Sequence, residues 1–228
     1  MSIQNELKSS SNFDLKPNII AVTKTFPLKE ITPLIDYGHL HYGENKVQEA
    51  LEKWTDLKKN KKDLKLHMIG KLQTNKVKFA VPLFDYIHSL DNIKLAEKIS
   101  SEQKKINKSL KIFIQVNIGE ERQKNGIFKD EVFKFYKRCI GDFDLNIIGL
   151  MCIPPLDGDI NSYFSKMNEL NKSIGLTQLS MGMSSDYLVA TSTGATFVRI
   201  GSNTLRTVVF PDPEGPIIET ISFFFIFF

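Results

Sequence analysis

The chain has 228 residues, 42% of them hydrophobic and 25% charged, with a formal net charge of +4. That is ordinary for a folded globular protein of one domain, or at most two small ones, with chain enough for a sizeable core. The lysines are scattered over helix-like stretches, as from Lys53 to Lys65 and from Lys94 to Lys111, with no basic stripe among stacking aromatics, which argues against a nucleic-acid partner.

The N-terminal MSIQNELKSSSNFDLK lacks the basic-then-apolar layout of a secretion signal. Short apolar runs then alternate with longer amphipathic ones. Ile19–Thr23 predicts a first strand, and Leu28, Ile31, Leu34 and Ile35 mark the buried face of a helix after Pro27. A short strand near Leu40–Tyr42 precedes a helix over Asn45–Trp54. Leu64–Ile69 is a third strand with a helix from about Gln73, and Tyr86–Ser89 a fourth with a helix over Asn92–Lys105. Lys111–Asn117 is the clearest strand, and its helix is Asp130–Cys139. Leu145–Met151 leads to a helix over Asn161–Ser173, Gln178–Ser180 to one around Asp186–Ser192, and Thr196–Ile200 is the eighth strand. No stretch reaches the roughly 18 apolar residues of a membrane span; the nearest, the terminal ISFFFIFF, is much too short. The two cysteines, Cys139 and Cys152, show neither CxxC nor metal-ligand spacing and read as reduced thiols, so the expected address is the cytoplasm.

Strict alternation predicts a parallel sheet, and eight strands predict closure into a (β/α)8 barrel. A doubly wound open sheet would usually carry a GxGxxG turn after its first strand; here that turn reads Thr23-Lys24-Thr25-Phe26-Pro27.

In such a barrel the chemistry sits at the C-terminal strand ends. Lys24 finishes the first strand, where a buried ammonium is costly unless it is paired or its pKa is lowered, and a desolvated amine is the nucleophile that forms Schiff bases. A lysine that only snorkels to the rim would look the same. Tyr42-Gly43-Glu44-Asn45 is a glycine turn in which Asn45 can cap the next helix. His67 and His88 end strands three and four without partners at metal-ligand spacing and read as packed or hydrogen-bonding histidines. Ser184 and Ser185 follow strand seven, and Arg199-Ile200-Gly201-Ser202 ends strand eight. A phosphate site built from the loops after strands seven and eight recurs in this fold, so the pattern suits a phosphorylated carbonyl ligand.

The segments AVTKTFP, HYGENKVQE, HMIGKLQTNKVK, IHSLD, FIQVNIGEERQKNGI, GLMCIP, LSMGMSSDY and ATFVRIGS, running from about Ile19 to Ser202, together resemble the pyridoxal phosphate homeostasis protein family. The resemblance implies a single barrel of the fold-type III kind, like the N-terminal domain of alanine racemase but without its second β domain. It implies pyridoxal 5'-phosphate as cofactor, Lys24 as its Schiff-base lysine and Asn45 beside its ring. It also implies Ser184, Gly201 and Ser202 around the phosphate, and Arg199 facing the pyridine nitrogen. Lys124 matches a lysine near the mouth of the site, or is simply a solvated loop lysine. Lys71 stands where the family commonly has histidine.

The implied role is an intracellular carrier that holds pyridoxal phosphate and supplies it to other enzymes, meeting apo-enzymes transiently, as a monomer or weak dimer. An amino-acid racemase using the same lysine is the alternative; racemases of this fold add a second domain carrying an opposing acid–base tyrosine, and nothing after residue 202 is long enough to be one. A barrel that binds a phosphorylated metabolite without a covalent bond is a third class. The expected layout is a barrel over 1–202 and an atypical tail over 203–228, where the resemblance stops and the chain reads NTLRTVVFPDPEGPIIETISFFFIFF. We hypothesise a shifted reading frame or a lineage-specific extension there. Mass spectrometry of the native protein decides: recovery of the FPDPEGP peptide would exclude the frameshift.

Overall fold

In the computed structural model, which describes residues 17–201, eight short strands pair in parallel in chain order and close into a barrel. They are β1 (Asn18–Val22), β2 (His41–Glu44), β3 (Lys65–Met68), β4 (Tyr86–Leu90), β5 (Lys111–Val116), β6 (Ile147–Cys152), β7 (Gln178–Met183) and β8 (Phe197–Ile200). Closure comes where Ile20 lies opposite Arg199 and Ala21 opposite Ile200. The fold is the (β/α)8 barrel that the alternation predicts. Ser202 and the tail from 203 onward lie outside the described residues, as does the segment before residue 17.

The return helices are α1 (Leu28–Asp36), α2 (Val47–Asn60), α3 (Val77–Leu83), α4 (Ile93–Ile106), α5 (Val132–Gly141), α6 (Ile160–Ser173) and α7 (Tyr187–Ser192). Four expectations need correction. Helix α2 starts at Val47 with Lys46 at its N-cap and no side-chain cap, so Asn45 is not a capping residue. It also runs on to Asn60, because Leu57 still packs on the core one turn beyond Trp54. The segment from Gln73 opens with a 3-10 turn over Thr74–Lys76 before α3. Strand β7 continues to Met183, past the predicted Ser180, with a register shift between those two residues and Gly182 at φ +91°.

Side chains alternate across each strand, which sorts the core into two layers. Ala21, Tyr42, Leu66, Ile87, Ile114, Leu150, Leu179, Val198 and Ile200 join the large cluster with the helices, whereas Ile20, Tyr86, Phe113, Met151 and Phe197 pack together as a separate one. The second group is the barrel interior. The inward parity of Ile20 carries through Val22 to Lys24, and that of Phe197 through Arg199 to Gly201.

At the C-terminal end the loops after β2 and β3 interlock. A Cβ added to Gly70 would stand 2.3 Å from the carbonyl oxygen of Asn45 and 2.7 Å from its Cα, so only glycine lets these backbones touch. Replacing Gly70 with alanine should destabilise the fold by about 1–3 kcal/mol, the usual range for overpacking, and push Asn45 out of place. Urea unfolding of the variant checks this; a loss under about 0.5 kcal/mol, the scatter of ordinary surface changes, would show that the loops yield.

Candidate functional site

Lys24 stands in the turn after β1 and is exposed. The expected cost of burying its charge at a strand end therefore does not arise: β1 ends one residue earlier than predicted, at Val22, and the next residues climb to the rim. What fixes the turn is its neighbour, Thr23. The Thr23 hydroxyl donates to Oε1 of Glu44 (2.8 Å), and the Thr23 carbonyl accepts from Nζ of Lys53 (2.7 Å). Glu44 is fully buried on the helix side of β2, and the same Oε1 accepts from Lys53 (2.8 Å) and from Trp54 Nε1 (2.9 Å). A buried ion pair of this kind adds little net stability but fixes geometry. Here it locks the residue before Lys24 to β2 and α2, and alternation then turns Lys24 toward the barrel mouth.

The register of β1 with β2 pairs Val22 with Gly43, so the loops that carry Lys24 and the half-buried Asn45 leave neighbouring strand ends. Gly43 matters because an added Cβ would reach 2.8 Å from Ile20 Cγ2 and 3.0 Å from Ile69 Cδ1. Tyr42 faces the other way, packed on Trp54 with its hydroxyl donating to the His39 carbonyl.

On the far side of β1, Ser184 and Gly201 bridge the loops after β7 and β8: the Gly201 N–H donates to Ser184 Oγ at 3.0 Å. Ser184 is exposed, and among the described residues an added Cβ at Gly201 would meet only that Oγ, at 3.7 Å. Asp186 accepts the Met183 N–H at 2.5 Å and shapes the turn into α7. Below them, Arg199 is buried in the interior. Its NH1 donates to Ser180 O (3.0 Å) and Ser180 Oγ (2.8 Å), and its NH2 to Cys152 O (2.8 Å). Burial lowers its pKa from the ordinary arginine value, yet a guanidinium stays protonated in proteins. No carboxylate among the described residues pairs with it. Lys24, Asn45, Ser184, Arg199 and Gly201 thus fall on one arc, β7–β8–β1–β2. Lys124 does not join them; it pairs with Glu121 at 2.5 Å in the loop after β5.

The profile of the family "Alanine racemase, N-terminal domain" matches residues 4–205. A pyridoxal phosphate homeostasis protein of Aquifex aeolicus is 38% identical over 81% of this chain and 84% of its own length. That of Synechocystis sp. is 35% identical over 85% of this chain and 90% of its own. The chain belongs to the pyridoxal phosphate homeostasis protein family. Among solved structures, PipY of Synechococcus elongatus with pyridoxal phosphate bound matches with a TM-score of 0.77 at 32% identity, over 89% of this chain and 97% of PipY. An alanine racemase of Clostridium difficile 630 gives a TM-score of 0.67 at 14% identity, over 88% of this chain and 54% of the racemase, a likeness of fold alone.

The arc lies at the C-terminal strand ends, the face where sites of this barrel ordinarily sit. A cavity of about 580 Å³ at the opposite end, among Asn18, Tyr86, Lys111, Gln178 and Phe197, contains none of the predicted site residues, and that face of a barrel ordinarily serves stability.

Under the arc lies a group of side chains that the sequence left unconnected. His41 Nδ1 meets His67 Nε2, His67 Nδ1 meets His88 Nε2, and His88 Nδ1 meets Ser180 Oγ, each at 2.9 Å. His67 and His88 are indeed packed, hydrogen-bonded histidines; His41 and Ser180 went unnoticed, although inward parity on β2 and β7 is their signal. Burial, reinforced by His88 and other nearby positive charge, holds the pKa of His67 well below normal. Burial and the Arg199 cation do the same for His88, and burial with His39, Lys65 and Lys111 brings His41 to about 4.

A histidine whose folded pKa lies below its unfolded value of about 6.5 binds fewer protons folded than unfolded. Its contribution is complete above that pH and is lost as pH falls through the folded value, here toward about 4 for His41. Denaturant titrations from about pH 7 down to about pH 4.5 should therefore show steadily falling stability with uptake of more than one proton on unfolding. A flat profile would mean that these rings are already charged in the native state.

Proposed function

We propose that this chain binds pyridoxal 5'-phosphate at the C-terminal end of its barrel, holds it covalently on Lys24, and serves intracellular supply of the cofactor rather than turnover of a substrate. The observation that carries the reading is the arc itself: an amine, a buried guanidinium without a carboxylate, and a bridged serine–glycine pair on four adjacent strands. The donor chemistry fits the ligand. Three hydrogen bonds occupy three of the five guanidinium N–H groups, leaving donors for a neutral ring nitrogen. Among the described residues nothing crowds the Cβ direction of Gly201 beyond Ser184 Oγ, so the Ser184 hydroxyl and the local backbone could serve a phosphate.

Pyridoxal phosphate supplies an aldehyde that condenses reversibly with a primary amine. Lys24, in an exposed turn with its position set through Thr23, would be that amine. Arg199 would face the ring nitrogen and, staying protonated, keep it unprotonated, which weakens the ring as an electron sink compared with pairing to a carboxylate. Asn45 would flank the ring, Ser184, Gly201 and Ser202 would hold the phosphate, and Lys124 would stay near the mouth in its pair with Glu121. The cysteines do not compete for the aldehyde: burial pushes the thiols of Cys139 and Cys152 up to about 12, so neither offers a thiolate. Both are free, which suits a reducing cytoplasm, and among the described residues no helix is long and apolar enough to cross a membrane.

Racemisation through two bases needs one on each face of the substrate, whereas the arc offers one amine. The carrier reading is therefore preferred, with apo-enzymes as transient recipients.

Borohydride reduction of the chain mixed with pyridoxal phosphate, followed by peptide mass mapping, tests this. The adduct should fall on the Lys24 peptide and vanish in Lys24→Ala, and racemase assays should show no turnover. Ser184→Ala should weaken binding about fivefold, the worth of ~1 kcal/mol for one hydrogen bond. Absence of an adduct in the unaltered chain would reject covalent holding, and robust turnover would move the protein among the racemases.

A further inference from the structure

All four histidines of the chain gather in one region of the barrel, and three of them join hands. The series runs His41, His67, His88, Ser180, Arg199, crossing from β2 through β3 and β4 to β7 and β8. His67, His88 and Ser180 are wholly buried. Each inner ring is clamped by an aromatic face: His67 stacks on Tyr86 at 4.1 Å between centroids, and His88 on Phe113 at 4.3 Å. His39 stands beside the series, its Nε2 donating to the His41 carbonyl at 2.9 Å.

A neutral imidazole has one donor nitrogen and one acceptor nitrogen. Because each link in the series uses one nitrogen from either side, the rings cannot choose tautomers independently. All three carry the proton on Nε2, or all three carry it on Nδ1. The Arg199 end decides between them. Ser180 Oγ already accepts from Arg199 NH1, and its other hydrogen-bond partner is His88 Nδ1. The hydroxyl proton must therefore go to His88 Nδ1, which makes His88 an acceptor there and a donor from Nε2. His67 follows in the same sense, and then His41. In the opposite arrangement His88 would donate to Ser180, and the hydroxyl proton would be buried without an acceptor, which is costly.

The favoured arrangement has a direction. Every acceptor atom points toward Arg199 and every N–H points away from it, toward His41 at the lower end. Aligned hydrogen-bond dipoles of this kind reinforce one another in a low-dielectric interior, and their negative ends converge on the guanidinium. An added proton would reverse part of the series and place a second cation in line with Arg199. At the lower end Lys65 and Lys111 also oppose it, with Asp85 as the acid that favours it.

We propose that His41, His67, His88 and Ser180 are positioning residues for Arg199, forming a ladder of neutral side chains locked in the Nε2–H tautomer that supports a buried guanidinium in place of a carboxylate and keeps its remaining N–H groups aimed at a ligand's acceptor atom. The ligand part of this inference rests on the pyridoxal phosphate reading above; the tautomer part does not.

The test has two arms. In the first, ¹⁵N-resolved NMR of the imidazoles in ligand-free protein should show His67 and His88 as neutral Nε2–H tautomers. Ser180→Ala, which removes the link to Arg199, should release them into a mixture of tautomers, and Ser180→Thr, which returns a hydroxyl, should restore the single form. In the second arm, Ser180→Ala should weaken pyridoxal phosphate binding on the order of tenfold, as for loss of a hydrogen bond to a charged group, with the Schiff-base absorption maximum displaced and the rate of borohydride trapping at Lys24 unchanged. Nδ1–H or charged rings in the unaltered protein would overturn the ladder even if the cofactor binds. The predicted tautomers with no cofactor binding would leave the ladder standing and overturn the pyridoxal phosphate reading. Unchanged tautomers and affinity in Ser180→Ala would overturn the positioning role.

Discussion

A guanidinium held inside a barrel with no ion-pair partner among the described residues is the constraint to which the rest of this molecule answers. Placing an unpaired charge in a protein interior costs several kcal/mol even after relaxation. Arg199 meets that cost with two contacts to Ser180 and one to the Cys152 carbonyl, each in the range of about 1.5–3 kcal/mol for a hydrogen bond to a charged group. Next to these acceptors β7 shifts register against β8, between Ser180 and Met183, whereas Cys152 stays in regular register with Val116 on β5.

A second, independent device works on the outside of the wall. Glu44, Lys53, Thr23 and Trp54 form a buried knot behind β1 and β2, and its product is the position of a residue that takes no part in it. Thr23 is held at both its hydroxyl and its carbonyl. The turn that follows, with Thr25 at φ +68°, therefore leaves the strand at a defined angle. Lys24 thus rides on a rigid base and is exposed among the described residues, a combination that would suit its proposed part in capturing an aldehyde and later giving it up.

The barrel was legible because each strand except the second is a run of apolar residues bounded by breaks, and because eight such runs alternate with helical patterns. Boundaries slipped where the signal was weak: at β2, whose HYGE reads as a turn as easily as a strand, and at β7, where SMGM mixes small and apolar residues. Asn45 was misjudged as a cap because asparagine before an amphipathic run is a common helix start; in the folded chain Gly70 packs on its backbone instead. For Lys24 the sequence leaves a buried amine and a lysine at the rim equally open, because sequence does not show how far a loop rises above the barrel; the structure places it exposed in the turn after β1. Roles at Ser184, Gly201 and Arg199 came from motif resemblance, and the fold adds the geometry that brings them onto one arc. The histidine series was out of reach, since His41, His67 and His88 stand more than twenty residues apart and only closure of the barrel sets Ser180 beside the last of them.

Taken together, the two devices divide the labour of the strand ends. The inner series fixes a cation and the outer knot fixes an amine. They come together where β8 pairs with β1. A site built this way keeps its affinity in the wall and leaves its access to the loops. An enzyme of this fold would need further groups brought over the ligand to exclude water and to move protons on both faces. A carrier needs the reverse: recognition strong enough to retain a reactive aldehyde, electrostatics that discourage further chemistry on the ring, and an opening through which the same bond can be undone. On the proposed reading, Arg199 below and Lys24 at the rim would meet all three demands with side chains that the barrel itself holds in place.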